Sequence, residues 1–562
     1  MVGLKDKSIE YWLKFTIGLM LVIVINQIAV LFPIRLDLTE EKRHSISEAT
    51  KQLLANLDDI VLVDVYLYGD LPSGFKRLQR SIQESLDEFG IQSDGKVQYR
   101  LVNPDIATGE QARNEFMQYL ANNGIQPTNV FANEDGRKTQ TLIFPGAIIS
   151  YYGEERGVLL LKGNRGATRE KILNQSIENI EYELADAIRI LAQTERKLIG
   201  FIRGHNELDS LELAGFTNTI LGKYDVFNVN LINREQNLKT YSALIIAKPT
   251  TPFNEIEKYR LDQYIINGGK AMFLVDALSV NMDSAGGEGT IAFPNDVNLR
   301  DMLFRYGVRI NENLIQDLNS GQYPVIAGNI GDQPQISLLP WPFFPVANMF
   351  GEHSIVRNMD AIYAKFVSNI DTVKAEGIQK TPLIYSSQYS RVMSSPVLVS
   401  FNDVQQNLDP QLFVDGPQPI AYLLEGKFSS VYKNRIPPKG INTQYFKETG
   451  FSSKIIVCAD GDILRNEINI QTEQPLDLGF DQFTKTTYAN KDFIMNSLEY
   501  LIDDNGIINA RNKEIQIRPL DKIKIAEERS WWQAFNLLLP VVLLIIFGYI
   551  KFYLRRKRFA SF

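Results

Sequence analysis

The 562-residue sequence has one cysteine, Cys458, and only three histidines, His44, His205 and His353. A single cysteine excludes an internal disulfide, a CxxC redox pair and a cysteine zinc site. It lies within an apolar run, where a thiol behaves as a small hydrophobe, and not at a nucleophile elbow. No G-x-x-x-x-G-K-[ST] loop is present, so this chain does not hold ATP phosphates in the Walker manner. "GNRGATREK" and "GGKAM" lack the required spacing. No G-x-S-x-G occurs either, and Ser279 in "VDALS" lacks the flanking glycines. Solenoid repeats and long low-complexity tracts are also missing. Away from the ends, acidic residues outnumber basic ones. The whole chain carries −7, residues 1–14 carry +1 and the segment from Ser530 carries +5, which leaves −13 between them. So acidic a middle argues against nucleic acid as a partner.

What the ends have is apolar length. "FTIGLMLVIVINQIAVLF", from Phe15 to Phe32, would reach roughly 27 Å as a helix, near the thickness of a bilayer core. It is long for a signal-peptide h-region, and no small-x-small cleavage site precedes Pro33. The reading is an uncleaved transmembrane helix over 15–33, after a short N-terminus of residues 1–14. A second helix is expected over 531–553. Trp531 and Trp532 open it at the position of an interfacial belt, and Lys551, Arg555, Arg556, Lys557 and Arg558 cluster at its far end. That basic tail, 554–562, places the C-terminus in the cytoplasm by the positive-inside rule. Two spans then put both termini in the cytoplasm and the bulk of the chain across a bacterial inner membrane, in the periplasm. A disulfide-free periplasmic domain is compatible with that compartment.

The fold class expected for the outer part is α/β, in two layers. Residues 34–166 read as helix from about Ser47, with Ser45 and Ser47 as candidate caps, followed by β-α-β-α-β-β. "GFKRLQRSIQESLDEFG" is a helix ending at Gly90, and a hairpin turns at Gly153-Glu154-Glu155. That order is thioredoxin-like; without redox cysteines it serves as a scaffold. Residues 167–195 form a linker helix with a 3.6-residue apolar stripe. Strands then alternate with helices over 196–286 and resume over 451–505, the pattern of a flavodoxin- or glutaminase-like parallel sheet. "NKDFIMNSLEYLIDD" closes it as a helix capped near Asn490. Between the two parts, 287–450 is a β-rich insertion with strands of its own, including "QPIAYLLEGKF", and 506–530 leads back to the membrane. The motif "LPWPFFP" admits two readings, packing in a proline-rich loop or an exposed docking surface.

In parallel sheets, ligands bind beyond the C-terminal strand ends. "KLIGFIRGHNELD" puts His205 and Glu207 there, "FLVDAL" puts Asp276 there, and "CADGDILRN" adds Asp460 and Asp462. These residues form either a ligand or partner surface, with or without a metal, or tight turns whose acids cap helices. No catalytic, cofactor-binding or metal-ligating residue is assigned. Within the membrane helices, Asn26, Gln27 and Asn536 are candidates for hydrogen bonds to other helices.

The ordered set "LDLTEEKRHSIS", "GFIRGHNELD", "YLLEGKFSSVYKNR", "CADGDILRNEIN", "PLDLGFDQFT", "NKDFIMNSLEYLIDD" and "WWQAFNLLLP" resembles the auxiliary, so-called substrate-binding, subunits of ABC-type transport systems. Within them it is most similar to the GldG family of gliding motility. The resemblance implies an inner-membrane subunit beside a separate GldF-like permease and a separate GldA-like ATPase, which would bind the ATP. It implies gliding or envelope function in Bacteroidota, and a glutaminase-like sheet without catalytic residues. Membrane lipid and a second copy of the chain are further partners. The alternatives are an anchored periplasmic ligand-binding sensor and a metal-dependent hydrolase, both independent of a transporter.

Overall fold

A computed structural model describes residues 3–31, 45–69, 71–104, 109–134, 137–162, 168–193, 195–232, 237–285, 289–330, 333–401, 408–439, 441, 444, 446–503, 505–512 and 522–559. The exit from the first apolar helix (32–44), the end of the first layer with the first linker residue (163–167) and the stretch 513–521 lie outside these. The chain divides into two compact units, Met1–Lys513 and Glu514–Phe562.

The first unit opens with helix α1 (Gly3–Leu31). Its described apolar stretch, Trp12–Gln27, is shorter than a full span. Helix α2 (Glu48–Ala55) starts at Ser47, whose hydroxyl accepts from the Thr50 amide at 3.2 Å. Of the two expected caps it is Ser47 that acts.

Strand β1 (Val61–Val65) leads to α3 (Ser73–Gln92) and β2 (Val97–Leu101). Then come α4 (Glu110–Asn122), a hairpin of 128–134 with 137–143, and strands β3 (Gly146–Tyr151) and β4 (Glu154–Leu159). The sheet order is β2-β1-β3-β4, with β2 parallel and β3 antiparallel to β1. Two sequence expectations shift here. Helix α3 runs through Gly90 and ends only where Asp94 and Gly95 take positive φ, because those two residues accept the left-handed turn that stops a helix. The hairpin turns at Tyr152-Gly153, both at positive φ, one residue earlier than the expected Gly153-Glu154-Glu155.

Helix α5 (Arg169–Ala192) is capped by the Thr168 hydroxyl. Its apolar stripe (Leu173, Ile180, Leu184, Ile188) joins one core that includes Val63 and Phe89 before it and Phe201 and Leu498 after it. The linker helix is therefore a shared wall between the two layers. At its base Lys223 Nζ bridges Asp186 (3.1 Å) and Glu499 (2.6 Å).

The second layer contains β5 (Leu198–Arg203), α6 (Ala214–Ile220), β6 (Asp225–Asn230), β7 (Ala243–Ala247), α7 (Glu255–Ile266) and β8 (Lys270–Leu274). Helix α8 (Arg300–Tyr306) follows. Strands β9 (Met349–Phe350), β10 (Ile378–Tyr385), β11 (Pro419–Ser429) and β12 (Thr449–Cys458) complete an eight-stranded sheet in the order β9-β10-β11-β12-β8-β7-β5-β6. The strands β6, β5, β7, β8 and β12 are mutually parallel, and in chain order they lie 2-1-3-4-5, a doubly wound arrangement. Both faces are covered. Ile245, Met272 and Ile456 enter one core, while Leu244, Ile246, Phe273 and Val457 enter the other.

The strand "QPIAYLLEGKF" does not belong to a separate insertion sheet. As β11 it pairs antiparallel with β12 and extends the main sheet. "LPWPFFP" lies in a strand (Gln333–Ala347) with Trp341, Phe343 and Phe344 buried, so the aromatics form a core and the docking-surface reading falls. Closing helix α9 (Asn490–Ile502) has no side-chain cap. Asn490 instead grips the insertion, accepting from the Tyr363 amide at 2.9 Å and donating to the Tyr363 carbonyl at 2.8 Å.

The second unit carries helix α10 (Lys522–Phe559). Its segment Glu527–Lys557 is long and apolar enough to cross a membrane. Asn536 on α10 is exposed, as are Asn26 and Gln27 on α1.

Candidate functional site

The loops after the parallel strands carry all five residues singled out for the outer part, but the structure divides them between two networks. The first centres on His205, just beyond β5. Its ring is stacked on Phe253 with centroids 3.5 Å apart. Nδ1 lies 3.1 Å from Glu207 Oε1, and Nε2 lies 3.0 Å from Glu257 Oε2. Glu207 also accepts from the amides of Gly204 (3.1 Å) and His205 (2.9 Å), which folds the loop back on itself. Glu257 is equally committed, since with Asn254 it forms the capping box of α7. Burial disfavours the imidazolium, but the hydrogen bonds and charges of Glu207 and Glu257 outweigh it and raise the His205 pKa. Burial likewise works against the Glu207 carboxylate, and the bonds from His205 overcome it and lower its pKa. Both ring nitrogens are engaged by carboxylates and one ring face by Phe253, so this histidine is a clamp. Glu257 was not singled out from the sequence, although its N-x-x-E spacing from Asn254 is a legible capping box.

The second network is built around a residue that sequence reasoning passed over, Lys248, at the end of β7. Its Nζ lies 3.1 Å from Asp276 Oδ2 and 2.5 Å from Asp462 Oδ2. Asp276 Oδ1 accepts from the Gly461 amide at 2.6 Å. Asp460 accepts from the amides of Asp462 (2.7 Å) and Lys365 (2.8 Å). The loops after β7, β8 and β12 are thus tied together by one ammonium. Lys248 has φ +55, and a Cβ on Gly461 would come within 2.4 Å of the Lys248 Cβ, so the close approach of the two loops requires glycine there.

The electrostatics follow from this packing. Burial disfavours the Lys248 charge, but Asp276 and Asp462 outweigh it and push its pKa up. Burial also opposes ionisation of Asp462, and Lys248 and Lys365 reverse that, lowering its pKa. Asp460, buried and facing Asp462 and Asp276, is pushed well up. Asp276 is raised, first by burial, against the pull of Lys248. His205 does not join Asp276 in a common site, and among the described residues no group of three His, Cys, Asp or Glu side chains is arranged to hold a metal ion. Cys458 is fully buried within β12, with its thiol pushed well up by burial.

Beside Lys248, between the sheet edge and the aromatic core of the insertion, lies a cavity of about 370 Å³. Its charged lining is Lys248, Lys365, Arg465, Asp462, Glu467 and Asp481, three cations against three carboxylates. Tyr323, Phe344, Tyr363, Phe366 and Phe483 supply the aromatic wall. Lys365 Nζ sits 5.5 Å over the Phe344 ring and pairs with Glu467. Arg465 pairs with Glu212 at 2.6 Å. None of the wall could be assigned from sequence, because it comes from distant segments, Tyr323, Phe344, Tyr363 and Phe366 in the insertion and Phe483 beyond it.

Comparison with known proteins adds the following. Residues 196–497, more than half of the chain, match the family described as an ABC-type uncharacterized transport system. Residues 40–150 match a domain of unknown function. An uncharacterized protein of Borreliella burgdorferi is 21% identical over 571 residues, covering 99% of this chain and 100% of its own length. Among solved structures, the N-terminal domain of mmIFT52 covers 54% of this chain and 97% of its own, at 12% identity and a TM-score of 0.29. A putative ThuA-like protein from Parabacteroides merdae covers 58% of this chain and 94% of its own, at 12% identity and a TM-score of 0.24. Likenesses that low carry no argument.

Proposed function

Since the chain belongs to the family of the ABC-type uncharacterized transport system, we propose that it is a non-catalytic, membrane-anchored accessory subunit of an ABC-type complex. In this reading a separate permease of GldF type and a separate ATPase of GldA type complete the assembly, and the ATPase alone binds ATP. The chain is of the GldG kind and serves gliding motility or envelope function in Bacteroidota. Residues 15–33 and 531–553 anchor it in the inner membrane, both termini are cytoplasmic and the bulk of the chain is periplasmic. Asn26, Gln27 and Asn536 contact the permease helices or a second copy of the chain.

The observation that carries the non-catalytic reading is the closure of the strand-end chemistry. Both nitrogens of His205 face carboxylates, and Lys248 is held between Asp276 and Asp462. General acid-base or nucleophilic work needs a group free to exchange a proton or attack. At the strand ends both His205 nitrogens and the Lys248 ammonium are already engaged, which supports an accessory role over a hydrolase. The test is ATP turnover. An assembly captured through this chain should hydrolyse ATP, and the chain stripped of its partners should not. Hydrolysis by the isolated chain, or a captured assembly without ATPase activity, overturns the proposal.

A further inference from the structure

A larger groove, of about 1240 Å³, runs along α8 and reaches the carboxyl end of β8 at Val275 and Asp276. Three elements build it. The Val373 amide donates to the Gly307 carbonyl at 3.0 Å, which seats the turn carrying Lys374 against the end of α8. Arg435 Nη1 pairs with Asp301 Oδ2 at 3.2 Å, which seats the loop after β11, carrying Lys433, against its start. Helix α8 itself brings Arg305 in its last turn.

Six cations line this groove, Arg300, Arg305, Arg309, Lys374, Lys433 and Arg435, against four carboxylates, Asp276, Asp301, Glu312 and Glu376. The fold uses half of the cations. Arg300 pairs with Glu312, Arg309 with Asp371 and Arg435 with Asp301. Asp276 is held by Lys248, and Asp301 also by Lys258. Among the described residues, Arg305, Lys374 and Lys433 are left without an ion-pair partner, against Glu376 alone. Arg305 and Lys374 are exposed and Lys433 is half-buried, so all three are open to a ligand in the groove.

These observations define the occupant. The chain between its apolar ends is acidic, so a concave surface with three open cations reverses its field locally. Core side chains Val297, Leu303 and Val431 form the floor, and such a low-dielectric wall strengthens the attraction for an anion. Phe304, 53% exposed, adds an aromatic face for an apolar group. The volume exceeds the roughly 300–1,000 Å³ of small-molecule sites and suits an extended polymer segment.

We propose that this groove docks an acidic peptide segment of another protein, its carboxylates against Arg305, Lys374 and Lys433 and an apolar side chain against Phe304. A peptide carries carboxylates and apolar side chains along one extended chain. A uronic-acid polymer has the carboxylates without the apolar side chains, and inorganic phosphate fills too little of the groove. The proposal goes beyond the accessory-subunit reading and does not rest on it, since every lining residue lies within the first unit of this chain.

The test selects binders to the purified full chain, in detergent, from a random peptide library displayed on phage. Enriched sequences should be acidic and carry an aromatic or large aliphatic residue. One of them is then titrated calorimetrically against the parent and against the triple variant Arg305→Ala, Lys374→Ala, Lys433→Ala. None of these cations pairs within the described fold, so the variant should melt cooperatively, as the parent does. Its affinity should be about tenfold lower, and raising the ionic strength should weaken the parent complex more than the variant complex. Lys374→Glu, a single change in an exposed turn, should also weaken binding and decides the matter even where the triple variant unfolds. Phe304→Ala should weaken binding without altering its salt dependence. Absence of enrichment, enrichment of neutral or basic peptides, or undiminished binding to the folded variants would overturn the proposal. So would tighter binding of oligogalacturonate or inorganic phosphate than of the selected peptide.

Discussion

Lys248 Nζ and Asp462 Oδ2 meet at 2.5 Å, joining the end of the third parallel strand to the loop after the fifth. Asp276, from the loop after the fourth, completes the bridge. Replacing Lys248 by Met leaves buried carboxylates without a counter-charge. The expected loss is about 3–5 kcal/mol of unfolding free energy for the α/β part of the chain. Lys248→Met combined with Asp462→Leu should lose less than the two single changes added together, because the pair is removed as a unit. Denaturant unfolding of the full chain in detergent, followed by near-UV circular dichroism, measures both. A Lys248→Met loss below about 1 kcal/mol would show that the ammonium is not buried among these acids.

The His205 clamp predicts a pH dependence. The His205 pKa is raised above its ordinary 6.5, so its contribution is complete below that value and is lost as pH rises through the raised one. The Glu207 pKa is lowered below 4.5, so its contribution is present above 4.5 and is lost as pH falls through the lowered value. The melting temperature should therefore decline as pH rises above 6.5, and His205→Asn should flatten that decline. The same slope in the variant would assign the titration to another group.

Trp341 is fully buried, with its ring centroid 4.6 Å from that of Phe344 and 4.8 Å from that of Phe401. Trp341→Ala should destabilise the insertion by about 3–5 kcal/mol, and Trp341→Phe by markedly less. Protease sensitivity confined to the insertion would report it. Both variants should capture partner proteins as the parent does when folded. Selective loss of a partner in a folded variant would restore the docking reading of "LPWPFFP".

The legible parts of this molecule are those written in local pattern. The stripe of α5, the Ser47 cap, and the strands ending at His205 and Asp276 follow from residues a few positions apart. Non-local pairing is what the sequence concealed. Strand β11 reads as part of an insertion because its neighbour in the sheet, β12, follows a loop rich in proline, glycine and asparagine. Asn490 reads as a helix cap because Asn caps helices, but its amide serves Tyr363, far away in the chain. Lys248 was passed over because a lysine after an apolar strand usually marks the surface. Its burial is created by Asp276 and Asp462, which arrive on two other loops.

The accessory-subunit account is tested most directly by the composition of the native assembly. The full chain, tagged at one end, is extracted from native membranes in mild detergent, and every protein in the captured peak is identified by mass spectrometry. The account predicts a polytopic permease and a Walker-containing ATPase in the same peak, with less permease captured by Asn26→Leu combined with Gln27→Leu. Recovery of this chain alone, where other ABC complexes of the same membranes survive, would contradict it.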